Sequence, residues 1–218
     1  KHFSSSRIAK GILDGWQLSG ITHYASGDPL GVPNPNVNCV PADACQKIGT
    51  FQSGTAGAGL NATWFGTPDI KLTALILQNP QKAAGYTSVG THWLNPGSIT
   101  LPAVNQFGTF EQPSFKGPGS ANWNITLFKS FLLGERRRLE LRWATFDIFN
   151  YAHPDDPQTT ANFNWCMGLS DKDGCTLPVA NPTSYRQGYP VLTNPQQFGT
   201  ITDKHGHREM EVAIKIYF

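Results

Sequence analysis

The stretch REMEVAIKIYF, residues 208–218, is apolar at every second position. Successive side chains of an extended strand point to opposite faces. Met210, Val212, Ile214, Ile216 and Phe218 therefore share one face, while Glu209, Glu211, Ala213, Lys215 and Tyr217 share the other. A helix would mix the two sets around its circumference, so the spacing predicts a strand.

The alternation recurs in NWNITLFKSFLLGERRRLELRWATFDIFN. Trp123, Ile125, Leu127 and Phe131 face one way, and Asn122, Asn124, Thr126 and Ser130 the other. After a turn, Leu139, Leu141, Trp143 and Thr145 continue the apolar face, and Glu140, Arg142 and Ala144 the polar one. Leu132-Leu133-Gly134 fits a three-residue hairpin loop with Gly134 in a left-handed position. That loop would pair Leu127 with Leu139, Ile125 with Leu141, and Trp123 with Trp143. GWQLSGITHYASG alternates less cleanly, with Trp16, Leu18, Thr22 and Tyr24 opposed to Gln17, Ser19 and His23, and reads as a strand of about 11 residues. Before it, SSSRIAKGIL sets Ile8, Ile12 and Leu13 at helical spacing around Gly11, which predicts a brief helical turn or connector.

The pattern dissolves over residues 29–120 and again over 151–206, where Gly, Pro, Asn, Ser and Thr dominate. DIKLTALILQNP is the one apolar run there, a short helix or strand. Connections this long are either disordered or functional loops held by something rigid. Charged residues make up 15% of the chain, against roughly 25% in ordinary soluble domains, beside 22 Gly and 16 Pro. That balance suits strands and polar loops, not a helix bundle. Net charge is +2, and the one basic run, Arg136-Arg137-Arg138, lies between Glu135 and Glu140 at a turn. A solvated turn is the expectation there, and nothing calls for a nucleic-acid partner. No run of about 18 apolar residues exists to make a transmembrane helix. No signal peptide is read in these residues, and Lys at residue 1 leads to the expectation of a fragment or processed product.

Four strands, one tight turn at one end and two long loops at the other describe part of an antiparallel transmembrane β-barrel. Strands of 9–11 residues cross the hydrocarbon when tilted. The apolar face would then meet lipid, and Glu140, Arg142, Glu209, Glu211 and Lys215 would line the lumen. Trp16, Tyr24, Phe149, Tyr151, Tyr217 and Phe218 fall near strand ends, where such barrels keep aromatic girdles. If Leu141 lies opposite Ile214, Glu140 faces Lys215, and Arg142 sits diagonal to Glu211. The long loops then belong outside the cell, with Leu132–Arg137 and the chain end in the periplasm.

The four cysteines fall into near pairs, Cys39 with Cys45 and Cys166 with Cys175, one pair per long loop. Outside the cytoplasm these read as disulfides. Zinc would want the tighter C-x2-4-C spacing. Asp171, Asp173 and Gly174 have a calcium-like spacing without the closing glutamate, which favours a polar turn. Asp155 and Asp156 suit a loop cap, and His205 and His207 lack identifiable further ligands. The loop aromatics Trp64, Phe65, Trp93, Trp165, Tyr185 and Tyr189 either grip a ligand such as a sugar or siderophore or form small cores that hold the loops. No catalytic constellation stands out, so an enzyme is not expected, and no metal or other cofactor is called for.

GWQLSG, NWNITLFKSFLLGERRRLELRWATFDIFN and VAIKIYF resemble the closing strands of TonB-dependent outer-membrane receptors. The likeness is to the type carrying a carboxypeptidase-regulatory-like N-terminal domain, and it spans about 70 residues in three blocks. FDIFN, Phe146 to Asn150, stands where those receptors carry FNLFN. The resemblance implies nutrient import across the outer membrane without covalent chemistry. It also implies that Phe218, with Met210, Val212, Ile214 and Ile216, carries the barrel-assembly signal. Family members add a plug, a TonB-contacting segment and about 22 strands, whereas four strands cannot close a barrel. The expected partners are therefore the remaining barrel and plug on another chain, outer-membrane lipid, and TonB through that other portion. The rival reading is a secreted soluble β-sandwich that binds carbohydrate through its loops.

Overall fold

The computed structural model describes residues 11–31, 33–49, 51–82, 92–109, 116–134 and 136–218. Along the chain its strands are β1 Trp16–Ala25, β2 Pro35–Val40, β3 Gly54–Thr55, β4 Leu75–Ile76, β5 Ile99–Thr100 and β6 Ser120–Leu132. They continue with β7 Arg138–Phe146, β8 His153–Pro154, β9 Ala161–Cys166, β10 Tyr189–Leu192, β11 Lys204–His205 and β12 Glu209–Tyr217. Two helices, α1 Ala42–Ile48 and α2 Ala58–Phe65, lie between them. The chain divides into two compact units.

The first unit comprises the described residues through Gly27 with Pro118–Pro154 and Lys204–Phe218. Its sheet has the order β1-β6-β7-β12, antiparallel throughout. The expected helical turn is present at residues 11–13, while Ile8 and the serines before it lie outside the described residues. The register between β7 and β12 is the one expected, with Leu141 opposite Ile214 and Glu140 opposite Lys215.

The hairpin between β6 and β7 differs from expectation. Leu127 pairs with Trp143, Ile125 with Thr145, and Phe131 with Leu139, which leaves 133–137 as the turn. The register is thus four residues away from the predicted one. The predicted pairing would have set Arg137 opposite Lys129 on the apolar face, two cations where neither is solvated. A four-residue shift keeps every side chain on its face. It places Leu141 opposite Lys129 and sends Arg137 into the turn, where Leu133 N–H donates to its carbonyl at 2.9 Å. β7 stops at Phe146 because Asp147 and Asn150 take left-handed backbone angles, φ 50° and 54°. Beyond it, β8 and β11 add a two-residue ladder with His153 opposite His205.

The second unit joins the segments that read as separate loops, 29–120 and 151–206, with bounds of 28–117 and 155–203. Its four-stranded sheet has the order β10-β9-β2-β3, and the central pair, β2 and β9, runs parallel. Trp64, Trp165, Phe163, Phe198, Leu72 and Leu94 are fully buried in one core. Cys39–Cys45 and Cys166–Cys175 are both disulfide-bonded, in this unit. Gly199 (φ 77°) passes so close to Leu94 that an added Cβ would lie 2.5 Å from the Leu94 carbonyl oxygen. Polar, glycine-rich sequence thus packs by close backbone approach around a few aromatic rings. DIKLTALILQNP supplies only the short β4, paired with β5.

Candidate membrane-facing sheet

Pairing across four strands arranges the first unit's side chains in rows. Leu18, Leu127, Trp143 and Val212 form one row, and Gly20, Ile125, Thr145 and Met210 the next. Toward the turn, Trp16, Lys129, Leu141 and Ile214 make a third, followed by Phe131, Leu139 and Ile216. All lie on one face. Leu18 is 71% exposed, Val212 75% and Ile214 64%. A sheet that packs in water covers such a face, and contiguous apolar patches of this kind mark interaction or membrane surfaces.

The opposite face carries Gln17, Phe128, Arg142 and Ala213 in one row and Ser19, Thr126, Ala144 and Glu211 in another. Near the turn, Glu140 accepts from Arg138 Nε at 3.0 Å and from the Tyr217 hydroxyl at 3.1 Å. The Arg138 guanidinium covers the Tyr217 ring at 4.6 Å, and the Arg142 guanidinium lies 5.6 Å from the Phe128 ring centroid. At the other end, His207 Nε2 approaches Glu209 Oε1 at 3.0 Å. Glu140, Arg142, Glu209, Glu211 and Lys215 therefore occupy one face, with apolar rows behind them.

The two ends of the sheet are finished differently. At the end away from the hairpin turn, Trp123 meets Tyr24 edge-on at 5.4 Å and Phe149 edge-on at 5.2 Å. Tyr24, Trp123 and Tyr151 line a concavity of about 370 Å³ together with small residues such as Gly119 and Ala121. At the turn end, the Lys129 ammonium donates to the carbonyls of Ile12 (3.0 Å) and Asp14. It also lies 4.9 Å from the Trp16 ring and 5.0 Å from that of Phe131. Sequence alternation passed over Lys129, whose position on the apolar face was the available signal. Among the described residues β1 and β12 each have one ladder neighbour, so there both edges of the sheet are unpaired. Such edges template pairing with further strands.

In the second unit Trp64 and Trp165 meet edge-on at 4.7 Å, and Trp165 Nε1 donates to the Tyr185 carbonyl at 3.0 Å. Tyr185 packs against Phe51, and burial raises its hydroxyl pKa above the ordinary value. The Tyr189 hydroxyl bridges Leu177 N–H and C=O, Trp93 Nε1 donates to Lys116 C=O, and Phe65 stacks on Phe107. These contacts tie each of the named aromatic residues into the packing of the unit. Asp171 and Asp173 form a turn in which Ser170 donates to the Asp173 carboxylate. Among the described residues no group of three or more His, Cys, Asp or Glu is placed to hold a metal ion.

The comparisons with known proteins agree with the sheet. A family model described as an outer membrane beta barrel domain matches residues 1–211. Neither the curated proteins nor the solved structures give a match.

Proposed function

Because the chain belongs to the outer-membrane β-barrel domain family, we propose that its four long strands are the closing part of a TonB-dependent receptor that imports a nutrient. The observation that carries this reading is the inverted amphipathicity of β1, β6, β7 and β12. Their exposed rows are apolar, and apart from the buried Lys129 their charges collect on the other face, as in a lipid-facing wall around a polar lumen. The strands are 10, 13, 9 and 9 residues long, enough to cross a bilayer when tilted. The two open edges require further strands from outside these 218 residues, together with the plug and the segment that contacts TonB. On this reading the second unit faces the medium, and the 133–137 turn and Phe218 face the periplasm. Met210, Val212, Ile214, Ile216 and Phe218 then present the barrel-assembly signal. Transport by such a receptor needs no covalent chemistry, in keeping with a non-enzymatic role.

A soluble carbohydrate-binding sandwich is disfavoured because it would have to cover Leu18, Val212 and Ile214, which stay exposed. The test is membrane fractionation followed by intact-mass measurement of the detergent-extracted species. Recovery from the outer membrane with further barrel strands and a plug supports the proposal. Recovery as a soluble species without them would overturn it.

A further inference from the structure

A second concavity, of about 320 Å³, lies wholly within the unit built from residues 28–117 and 155–203. Every residue lining it is Asn, Gln or Thr, with no charge and no aromatic ring among them. Such a wall is a matter of chemistry as well as composition. Amides and hydroxyls each offer both donors and acceptors, and none demands a counter-ion.

Part of this wall is a frame and part is unused. Asn194 is a frame residue, since its Oδ1 accepts from Asn162 N–H at 2.9 Å and its Nδ2 donates to Thr160 C=O at 2.9 Å. Thr200 is another, its hydroxyl donating to Gln196 C=O at 2.8 Å. Backbone bonds from Gln158 N–H to Thr200 C=O and from Gly199 N–H to Gln158 C=O tie the two sides together. Asn162 is oriented from behind. The Thr55 hydroxyl donates to Asn36 Oδ1 at 2.5 Å, and Asn36 Nδ2 donates to Asn162 Oδ1 at 2.9 Å. This relay consumes the Asn162 oxygen and leaves its NH₂ as the free end. Gln158, Thr160, Gln196 and Gln197 are exposed, and their side chains have no hydrogen-bond partner among the described residues.

We infer that this cleft binds a neutral polyhydroxylated ligand, a saccharide unit. Vicinal hydroxyls alternate donor and acceptor in the same way as a row of Gln and Asn amides. A charged ligand would lose hydration without gaining a counter-ion, and an apolar one would strand at least five hydrogen-bonding side chains. Without an aromatic platform the affinity rests on hydrogen bonds alone, which sets it in the weak range of a surface capture site. The inference depends on the uptake reading only for the step from capture to transport, for which it names the substrate class.

The test uses the detergent-extracted receptor with its full complement of strands. Neutral oligosaccharides (maltotriose, cellotriose and xylotriose) are titrated by saturation-transfer NMR, with gluconate and trialanine as the charged and peptide comparisons. Saturable binding of a neutral sugar is expected. Gln158→Ala and Gln197→Ala should each weaken it about threefold to tenfold, with the unfolding midpoint unchanged because neither side chain is tied into the fold. Asn36→Ala, which releases the orientation of Asn162, should weaken it comparably, while Leu177→Ala, away from the cleft, should not. Preference for gluconate or trialanine, no saturable sugar binding, or indifference to both glutamine variants would each overturn the inference. Sugar binding that survives these tests in a receptor that fails to accumulate the sugar in cells would uphold the cleft and sink the import reading.

Discussion

Placing an arginine at Leu127 separates a lipid-facing wall from every other use of the same sheet. Leu127 lies near the middle of β6, in the row with Leu18, Trp143 and Val212, and its neighbour Thr126 lies on the opposite face between Ser19 and Ala144. At the bilayer midplane an outward arginine costs about 2–4 kcal/mol, which lowers the folded-to-unfolded ratio roughly 30- to 900-fold. Thr126→Arg introduces the same side chain one residue away but into water. Its nearest cation is Arg142, diagonal across the ladder, so its cost should stay within about 1 kcal/mol. Phe131→Arg supplies the depth control, because near the turn the penalty falls to about 0–1 kcal/mol. All three are measured with the complete barrel refolded into lipid vesicles, by guanidinium titration followed through tryptophan fluorescence and heat-modifiable gel migration. The expected order of cost is Leu127→Arg far above Phe131→Arg and Thr126→Arg. If Leu127→Arg folds within 1 kcal/mol of the parent, or if Thr126→Arg bears the larger cost, the assignment of faces is wrong.

Three further outcomes concern the second unit. Cys39→Ser and Cys166→Ser, which open loops with sequence separations of 6 and 9, should each destabilise that unit by roughly 2–3 kcal/mol. The change is read as a shift in the denaturant midpoint of tryptophan fluorescence, with gel migration of the refolded barrel unaltered. Trp64→Ala empties a fully buried position against Trp165 and should cost about 3–5 kcal/mol, visible as faster amide exchange in β2 and β9. Burial raises the pKa of Tyr185 above 10.0, so the unfolded chain ionises first as pH rises through that value. The contribution of this tyrosine to the unit's stability is therefore fully present below pH 10 and is lost as pH rises above it. Tyr185→Phe should flatten that decline, measured as the midpoint on either side of pH 10.

What the sequence disclosed follows from how local each signal is. The register of β12 against β7 was legible because two strands with strict alternation and complementary charges, Glu140 and Lys215, admit few alignments. The register of the β6–β7 hairpin was not, since a shift by four leaves every face unchanged and the choice falls to Lys129 and Arg137. The disulfides could be read from sequence proximity. The parallel pairing of β2 with β9 could not, because Asn36 and Asn162 stand 126 residues apart and no turn links them. Nor was the amide cleft visible, as Gln158, Gln196 and Gln197 look like ordinary loop residues until the backbone brings them together.

Lys129 shows why an apparent violation of the membrane pattern belongs to it. It sits on the apolar face, where an unsatisfied ammonium would be costly at mid-depth. Yet its residue is 3% exposed, and two of its three donors are taken by the Ile12 and Asp14 carbonyls, with the Trp16 and Phe131 rings about 5 Å away. The carbonyls come from the helical turn at 11–13 and the bend after it, where main-chain acceptors are left over as a helix ends. Lys129 also lies three residues from the end of β6, close to the turn, where a long side chain reaches the interface. The lysine therefore fastens the chain preceding β1 to the rim of the sheet. The same side chain moved to position 127 would have neither carbonyls nor interface within reach, which is why depth, and not charge as such, governs which positions on this face tolerate a cation.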